Sequence, residues 1–483
     1  LEDLASNTKT FNAERQIDFC DEMDDVCKAV LERIKPAQAE RKQLEKIANE
    51  MVARVNLACA KLGVPARGML VGSAARETWL SSENDIDIFI LFPEKLSREK
   101  LERDGLRVAR AVAGPKGRER YAEHPYITTR VGSFEIDFVP CYDVADAGKI
   151  KSAVDRSPHH QRYISKRLTP ELTDEVLLLK KFMIGIGAYG AELKVQGFSG
   201  YLCELLALRY RTFKEVVEAA SKWSPGEVTD LTRSYGDVGE IKALFPGQPL
   251  VIIDPVDPNR NVAAAVSMQN FSTFVRACQD FVRKPSMRFF FPGQARMLSS
   301  REVERVLRQR GTALFCLVFD SPDVVEDILY PQLHKTEQAL VMRLVRAGFD
   351  VIRNDVWANS KAVILIELSS EKLPKVQRRL GPPITVEAGD FIEKHLASRQ
   401  KFSGPFVDWA GRLVFEVERR HVNAEQVLEA ALEERMAFGK HVAESLAKGY
   451  KIYGGKQVVK LCADKKFSKF LSEYLTRCLP WHR

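Results

Sequence analysis

Two aspartates stand in a run that otherwise reads as a buried strand, Asp85-Ile86-Asp87-Ile88-Phe89. Alternate residues of a strand share a face. Asp85 and Asp87 therefore point one way, and Ile86 and Ile88 the other. Adjacent carboxylates repel, so one must hold a proton or a cation must lie between them. An all-oxygen site suits Mg²⁺, which also takes phosphate oxygens as ligands. A second run, Phe134-Glu135-Ile136-Asp137-Phe138-Val139, alternates in the same way. It offers Glu135 or Asp137 as a third carboxylate, and spacing leaves both open. Upstream, Gly72-Ser73 follows the apolar Met69-Leu70-Val71, with eleven residues between Ser73 and Asp85. Glycine lets backbone approach a phosphate closely. Ser73 can donate through its amide and hydroxyl, and Arg76 can present a fork to the same anion. The order is strand, Gly-Ser turn, helix, Asp-x-Asp strand, then a distant acidic strand. That is a layout for a nucleoside triphosphate with two Mg²⁺ ions.

Several elements must hold these groups. Leu44, Ile47, Met51, Val55 and Ala58 recur at helical spacing, and Gly63 with Pro65 ends that helix. Met69 to Val71 and Asp85 to Phe92 read as strands, and 96–112 as a charged amphipathic helix. Ile127 to Val131 and Phe134 to Val139 flank Gly132-Ser133 as a hairpin. The first domain is therefore α/β with a mixed sheet. A helical pattern runs from Thr173, a candidate N-cap, to about Phe213. A proline-rich joint at 254–258 precedes a helix over 271–282. A second α/β unit starts near Thr312, with a strand over 313–319, a helix over 323–347, and strands over 349–353 and 361–367. Gly381-Pro382-Pro383 opens another stretch, and a helical, basic end begins near Asn423. Residues 1–29 show no clear pattern and read as an extension.

Across 483 residues, 73 Lys and Arg face 65 Asp and Glu, for a net charge of +8. The surplus is local: seven lysines stand against one acid between Lys448 and Lys469, with Tyr450, Tyr453, Phe467 and Phe470 interleaved. Lysines that neutralise phosphates and rings that stack on bases make this a candidate RNA contact, led by Lys448, Lys451, Lys456 and Lys460. A solvated charged face is the plain alternative. Nine scattered cysteines, with no C-x-x-C pair, fit free thiols in a reducing cytosol. The polar N-terminus does not read as a signal peptide, and no apolar run is long enough to span a membrane. A cytoplasmic protein is expected.

The Gly-Ser turn with its acidic strand resembles the DNA polymerase β-type nucleotidyltransferase signature. More closely, GSAARETWL with DIDIF, FEIDFVPCY (134–142), SAVDRSPHH (152–160), GAYGAELKVQGFSGYLCELL (187–206) and IDPVDPNRNVAA (253–264) are similar to the archaeal, class I CCA-adding enzymes, which are tRNA nucleotidyltransferases. The likeness is dense over about 30–280 and thinner to about 410. It implies an α/β (α+β) multidomain fold: a nucleotidyltransferase head over 30–165, a helical neck over 166–285, an α/β body over 286–380, and a tail with a basic helical region over 381–483.

The same resemblance implies that Asp85, Asp87 and Asp137 are the metal carboxylates. Ser73 and Arg76 match the triphosphate pair. His160 (with His159 as its rival), Lys180 and Tyr189 match further nucleotide contacts, and Arg260 the arginine facing the base. Lys180 lies in an apolar helix, where a lysine more often snorkels outward. A continuous helix would put Lys180 and Tyr189 on opposite faces, so Gly185 and Gly187 should break it. The implied reaction is template-independent addition of C, C and A to the 3′ end of tRNA from CTP and ATP, with pyrophosphate released. The implied partners are the tRNA acceptor arm and a second copy in a homodimer. A poly(A) or oligo-A polymerase, and a catalytically idle RNA-binding protein, are the alternatives.

Overall fold

The computed structural model describes residues 22–81, 83–121, 124–434 and 436–483. Two compact units emerge. One runs to Gly293 and includes Cys478–Arg483, and the other spans Gln294–Arg477.

In the first unit, helix α1 covers 22–34 and α2 covers Gln38–Leu62. Strand β1 (Arg67–Val71) leads through the short α3 (Gly72–Arg76) to β2 (Asp85–Pro93) and α4 (Arg98–Ala113). Strands β3 (Arg118–Tyr121), β4 (Pro125–Val131) and β5 (Phe134–Asp143) complete a sheet of order β1-β2-β5-β4-β3. Only β2 and β5 pair in parallel, so the sheet is mixed as expected. Ile86, Ile88, Ile90, Ile136 and Phe138 pack against Leu44, Met51 and Val55 of α2 and Leu101 and Val108 of α4. Burying the isoleucines under these helices leaves the acidic residues on the other face.

A second core joins α1 to α6 (Pro170–Ile186), α7 (Gly200–Tyr210), α8 (Phe213–Ala220) and α10 (Met268–Arg283); it follows α5 (Ser157–Ser165) in the chain, and α9 (Val238–Leu244) packs outside it. Met23, Val30 and Ile34 of α1 are buried there, so 22–29 belong to a packed helix rather than a patternless extension. The remaining residues of that expected extension, 1–21, lie outside the described residues. The N-cap of α6 is Thr169, not Thr173: its hydroxyl accepts from Leu172 N at 3.4 Å. Pro170 at the first helical position explains the earlier start, since its ring presets φ. The expected joint at 254–258 is instead the turn between β7 (Leu250–Asp254) and β8 (Asp257–Asn261), which β6 (Glu227–Thr229) extends to three strands.

In the second unit, β9 (Ala313–Asp320), β10 (Val351–Ala358), β11 (Lys361–Leu368) and β15 (Tyr450–Gly454) form an antiparallel sheet of order β10-β11-β9-β15. Phe315, Leu317, Ile364 and Ile366 face α12 (Glu326–Ala347), α14 (Ala424–Glu433) and α15 (Lys440–Lys448). Leu314, Cys316, Val363 and Leu365 face α11 (Ser300–Arg310) and α16 (Lys465–Leu475). Burial on both faces is why these strands read as unbroken apolar runs. A smaller sheet, β12-β14-β13, combines Val376–Pro383, Arg412–Glu418 and Lys401–Val407, with α13 (Gly389–Leu396) between its strands in sequence. Three expectations change here. The strand placed at 349–353 lies at Val351–Ala358, and Gly381-Pro382-Pro383 closes β12 instead of opening a stretch. The C-terminal end is not all helical, because β15 adds to the edge of β9.

Candidate active site

Asp87 and Asp137 are direct neighbours across the parallel β2–β5 pair, and Asp85 is opposite Glu135. The Thr128 hydroxyl donates to Asp137 at 2.6 Å. Glu135 instead lies 3.2 Å from Arg120 and 3.5 Å from Arg130. The arrangement strains Asp87 electrostatically. Burial, then Asp137 and Asp85, push its carboxyl up to about 6, against some relief from Arg76. Burial and neighbouring acids also raise Asp85 and Asp137, the latter against the Thr128 hydroxyl and Arg120. A divalent cation would favour the ionised forms.

Among the described residues, no three His, Cys, Asp or Glu side chains are gathered tightly enough to cage an ion unaided. The crowded, all-oxygen donor set still fits Mg²⁺, which completes its octahedron with water and substrate phosphates. Gly72 shows how close the Gly-Ser turn comes to this set. Its φ is +77°, and a Cβ there would sit 2.3 Å from Asp87 Oδ2. Only glycine allows the chain to leave β1 against that carboxylate. Ser73 follows directly, in the first turn of α3.

Arg76 is nearly buried and is held by two bonds, Nε to Glu204 Oε1 at 2.8 Å and NH1 to Gln161 Oε1 at 2.7 Å. The Thr78 hydroxyl donates to the same Glu204 oxygen at 2.7 Å. Lys180 does not snorkel outward. It is 2% exposed, and its Nζ donates to Thr78 O at 2.5 Å. Helix α6 ends at Ile186 with Gly187 as its cap, so the chain does break before Tyr189. A Cβ on Gly200 would lie 3.1 Å from the Tyr189 hydroxyl and 3.5 Å from Lys180 Nζ, so the two side chains converge there.

A third cluster gathers on Asp254, which is fully buried. His160 Nε2 lies 2.9 Å from Asp254 Oδ2, Arg260 NH1 donates to the same oxygen at 2.8 Å, and the Tyr201 hydroxyl donates to Oδ1 at 3.1 Å. The His160 ring stacks on Tyr201, with centroids 3.9 Å apart. Burial raises Asp254, but the His160 bond and charge, with Arg260, hold it below the ordinary carboxylate range. Burial lowers His160 and Asp254 only partly opposes it. With Nε2 committed to Asp254, the ring can donate to a phosphate through Nδ1 only as imidazolium. The rival His159 turns to the Val144 carbonyl, 3.0 Å from its Nε2.

Sequence reasoning missed Glu204, Gln161, Tyr201 and Asp254. The signal existed for the two acids. Each is a lone carboxylate in or ending an apolar run, CELL and LVIID, and such a group needs a cationic partner. In the second unit, Lys448, Lys451, Lys456 and Lys460 are all exposed. Of the interleaved rings, Phe467 is buried against Trp357, with centroids 5.3 Å apart, so it offers no plane to a base.

The nucleotidyltransferase domain family matches residues 52–160, so the head is a nucleotidyltransferase domain. The family described as tRNA nucleotidyltransferase, second domain, matches 174–291, and that described as CCA-adding enzyme, C-terminal domain, matches 310–455. The CCA-adding enzyme of Methanosarcina barkeri is 44% identical over 90% of this chain and 94% of its own length. Those of Halobacterium salinarum and Methanothermobacter thermautotrophicus are 41% and 38% identical over 93% and 94% of this chain, and 98% and 97% of their own lengths. The chain belongs to the CCA-adding enzyme family.

Proposed function

We propose that this protein adds C, C and A, without a nucleic-acid template, to the 3′ end of tRNA from CTP and ATP, releasing pyrophosphate. The observation that carries the chemistry is the register that sets Asp87 beside Asp137 with Gly72 against Asp87. Membership of the CCA-adding family supports the choice of substrate.

Asp85, Asp87 and Asp137 would hold two Mg²⁺. Bound there, the ions supply Lewis-acid activation of the RNA 3′-hydroxyl and charge neutralisation on the leaving pyrophosphate. The chain's own groups position the substrate. Ser73, Arg76, Lys180 and Tyr189 orient the triphosphate, and His160 adds a donor when protonated. Glu204 and Gln161 fix the Arg76 guanidinium, so little rotamer freedom is lost when phosphate arrives. Arg260, held by Asp254, faces the base. C and A each display an amine beside a ring nitrogen acceptor on their pairing edge. A guanidinium can donate to that nitrogen but cannot accept from the amine, so a tRNA phosphate is the proposed acceptor.

Among the described residues no helix is long and apolar enough to cross a membrane. The resemblance also implies a homodimer, which the molar mass measured by light scattering against the 54.6 kDa chain would test, and the scattered cysteines support a cytoplasmic location. The activity is tested by incubating the protein with tRNA lacking CCA, Mg²⁺ and labelled CTP or ATP, then sizing the RNA and measuring pyrophosphate. Two C residues from CTP alone, and one A added after them, are expected. Long A tails without CTP would indicate a poly(A) polymerase, and no pyrophosphate an idle RNA-binding protein.

A further inference from the structure

Arg260, the residue proposed to face the base, sits on a stretch that its own sheet does not hold. Strands β7 and β8 pair Ile253 with Asn261 and Asp254 with Asp257. Pro258, Asn259 and Arg260 therefore bulge from β8 with no partner on β7. A bulge re-aims a side chain, and it gives up the ladder bonds that would fix it. Arg260 engages Asp254 through NH1, and its side chain is 34% exposed. A guanidinium has five N–H donors, so others remain for a base. Where those donors stand depends on what holds the bulge.

Other segments take over from the ladder. After the bulge, Asn261 is buried: its Oδ1 accepts from Ile252 N and Ala263 N, and its Nδ2 donates to Leu250 O, each at 2.9 Å. Before the bulge, the buried Asp257 accepts from Arg156 Nε at 2.9 Å. Arg156 is the N-cap residue of α5 and already has helical dihedrals, so His160, four residues on, shares its face. One face of this helix thus grips both acids of the turn: Arg156 takes Asp257 and His160 takes Asp254. Within the bulge itself, the Pro258 carbonyl accepts from the Tyr235 hydroxyl at 2.9 Å. Tyr235 is fixed in turn by Asp230, which accepts from its amide at 3.2 Å.

We infer that Arg156 and Asp257, together with Tyr235, are positioning residues that determine base specificity, by fixing the bulge so that the Arg260 guanidinium meets the ring nitrogen of the incoming base. This rests on the reading that Arg260 faces the base. Placement matters because chemistry alone does not discriminate. U carries an N–H where C has its ring nitrogen acceptor, with a carbonyl oxygen on either side. A guanidinium on a loose bulge would donate to such an oxygen as readily as to the nitrogen of C. Held in place, it faces the N–H of U with nothing to donate to, and a buried donor is left unmet.

The test uses the full chain with tRNA lacking CCA and Mg²⁺, and sets CTP against UTP in competition. In R156M/D257L both partners become apolar groups of similar shape, so no buried charge is left unmet and a melting curve like that of the wild type is expected. The preference for CTP over UTP should still fall about tenfold, with the KM for tRNA unchanged. A pair that served stability alone would leave the preference intact, and wild-type preference in this variant would overturn the inference. The triple variant R156M/D257L/R260A should be no less selective than Arg260→Ala, because the pair acts through that arginine. Losses that multiply would also overturn it. Should R156M/D257L melt early, Tyr235→Phe decides. It removes one hydroxyl and should lower the preference about threefold, again only where Arg260 is present. Wild-type preference in that protein would then overturn the inference. Arg260→Ala with wild-type preference would instead refute the reading of Arg260 as the base-facing residue.

Discussion

Asp87 sets the energetics of the site. Its carboxyl is raised to about 6 by burial and by Asp137 and Asp85. A carboxyl raised in the folded state binds more protons there than in the unfolded chain. Without divalent cation, its contribution to stability therefore falls as pH rises from about 4 to about 6, and is absent above that. Asp85 and Asp137 act with the same sign. Mg²⁺ should raise the melting temperature clearly at pH 7.5 and little at pH 5, and Asp87→Asn should shrink the difference. Equal shifts at both pH values in both proteins would contradict this. Ala at Asp85, Asp87 or Asp137 should abolish C and A addition alike, since one site serves both. Glu135→Ala should be milder, and the reverse pattern in an extension assay would replace Asp137 as the third carboxylate. Asp254 supports a separate expectation. It orients Arg260 and His160 together, so Asp254→Asn and Arg260→Ala should each lose discrimination against UTP by about 1–3 kcal/mol, the scale of a hydrogen bond whose buried partner is left unmet. The double variant should lose less than the sum, because the groups share one network. Competition of CTP with UTP measures both, and additive losses would separate the residues.

At the scale of elements, the turn between β1 and α3 is the tightest constraint. Gly72→Ala must hold a side chain at φ +77°, 2.3 Å from Asp87 Oδ2. The left-handed backbone alone costs about 1–2 kcal/mol. The expected outcome is a folded protein with kcat reduced at least as far as by Asp87→Asn, and wild-type kcat in steady-state assays would contradict it. This turn and the Asp-x-Asp strand were legible in the sequence because alternation and a Gly-Ser break are local signals. Glu135 and Asp137 share a face, so spacing left both open; what only the folded sheet adds is that Asp137 pairs with Asp87 while Glu135 lies near Arg120 and Arg130 on neighbouring strands. The break after Ile186 was legible from Gly185 and Gly187, but not that Lys180 would turn inward to Thr78. The sheet β12-β14-β13 was illegible for a physical reason. Val376, Leu380, Phe402 and Val407 are exposed, so its edge strands lack clean alternation of buried and solvated positions. Strand β15 is only five residues long, and its place is set by β9, far away in sequence.

At the scale of the whole molecule, the lysine-rich end both packs the second unit and carries exposed lysines, and the two can be tested apart. Val458, Phe467, Leu471 and Tyr474 fill the core of the second unit, and β15 completes its sheet. Deleting residues from Lys448 onward should therefore unfold that unit, and salt dependence measured on such a truncation would report unfolding. The lysines themselves are exposed. Replacing Lys448, Lys451, Lys456 and Lys460 with Gln should leave the melt intact and reduce the log–log salt slope of tRNA binding by about 0.7–0.9 per contact. An unchanged slope would make this a solvated face, with tRNA held elsewhere.

The central claim is that one site built on Asp87, Asp137 and the Gly72 turn adds a defined sequence without a nucleic-acid template. The most direct measurement is sequencing of the 3′ ends formed when tRNA lacking CCA is extended by the purified protein with equal CTP, ATP, UTP and GTP. The predicted result is RNA ending in CCA and growing no further, and none from the Asp87→Asn protein. Homopolymer tails, or ends of mixed sequence, would contradict the account.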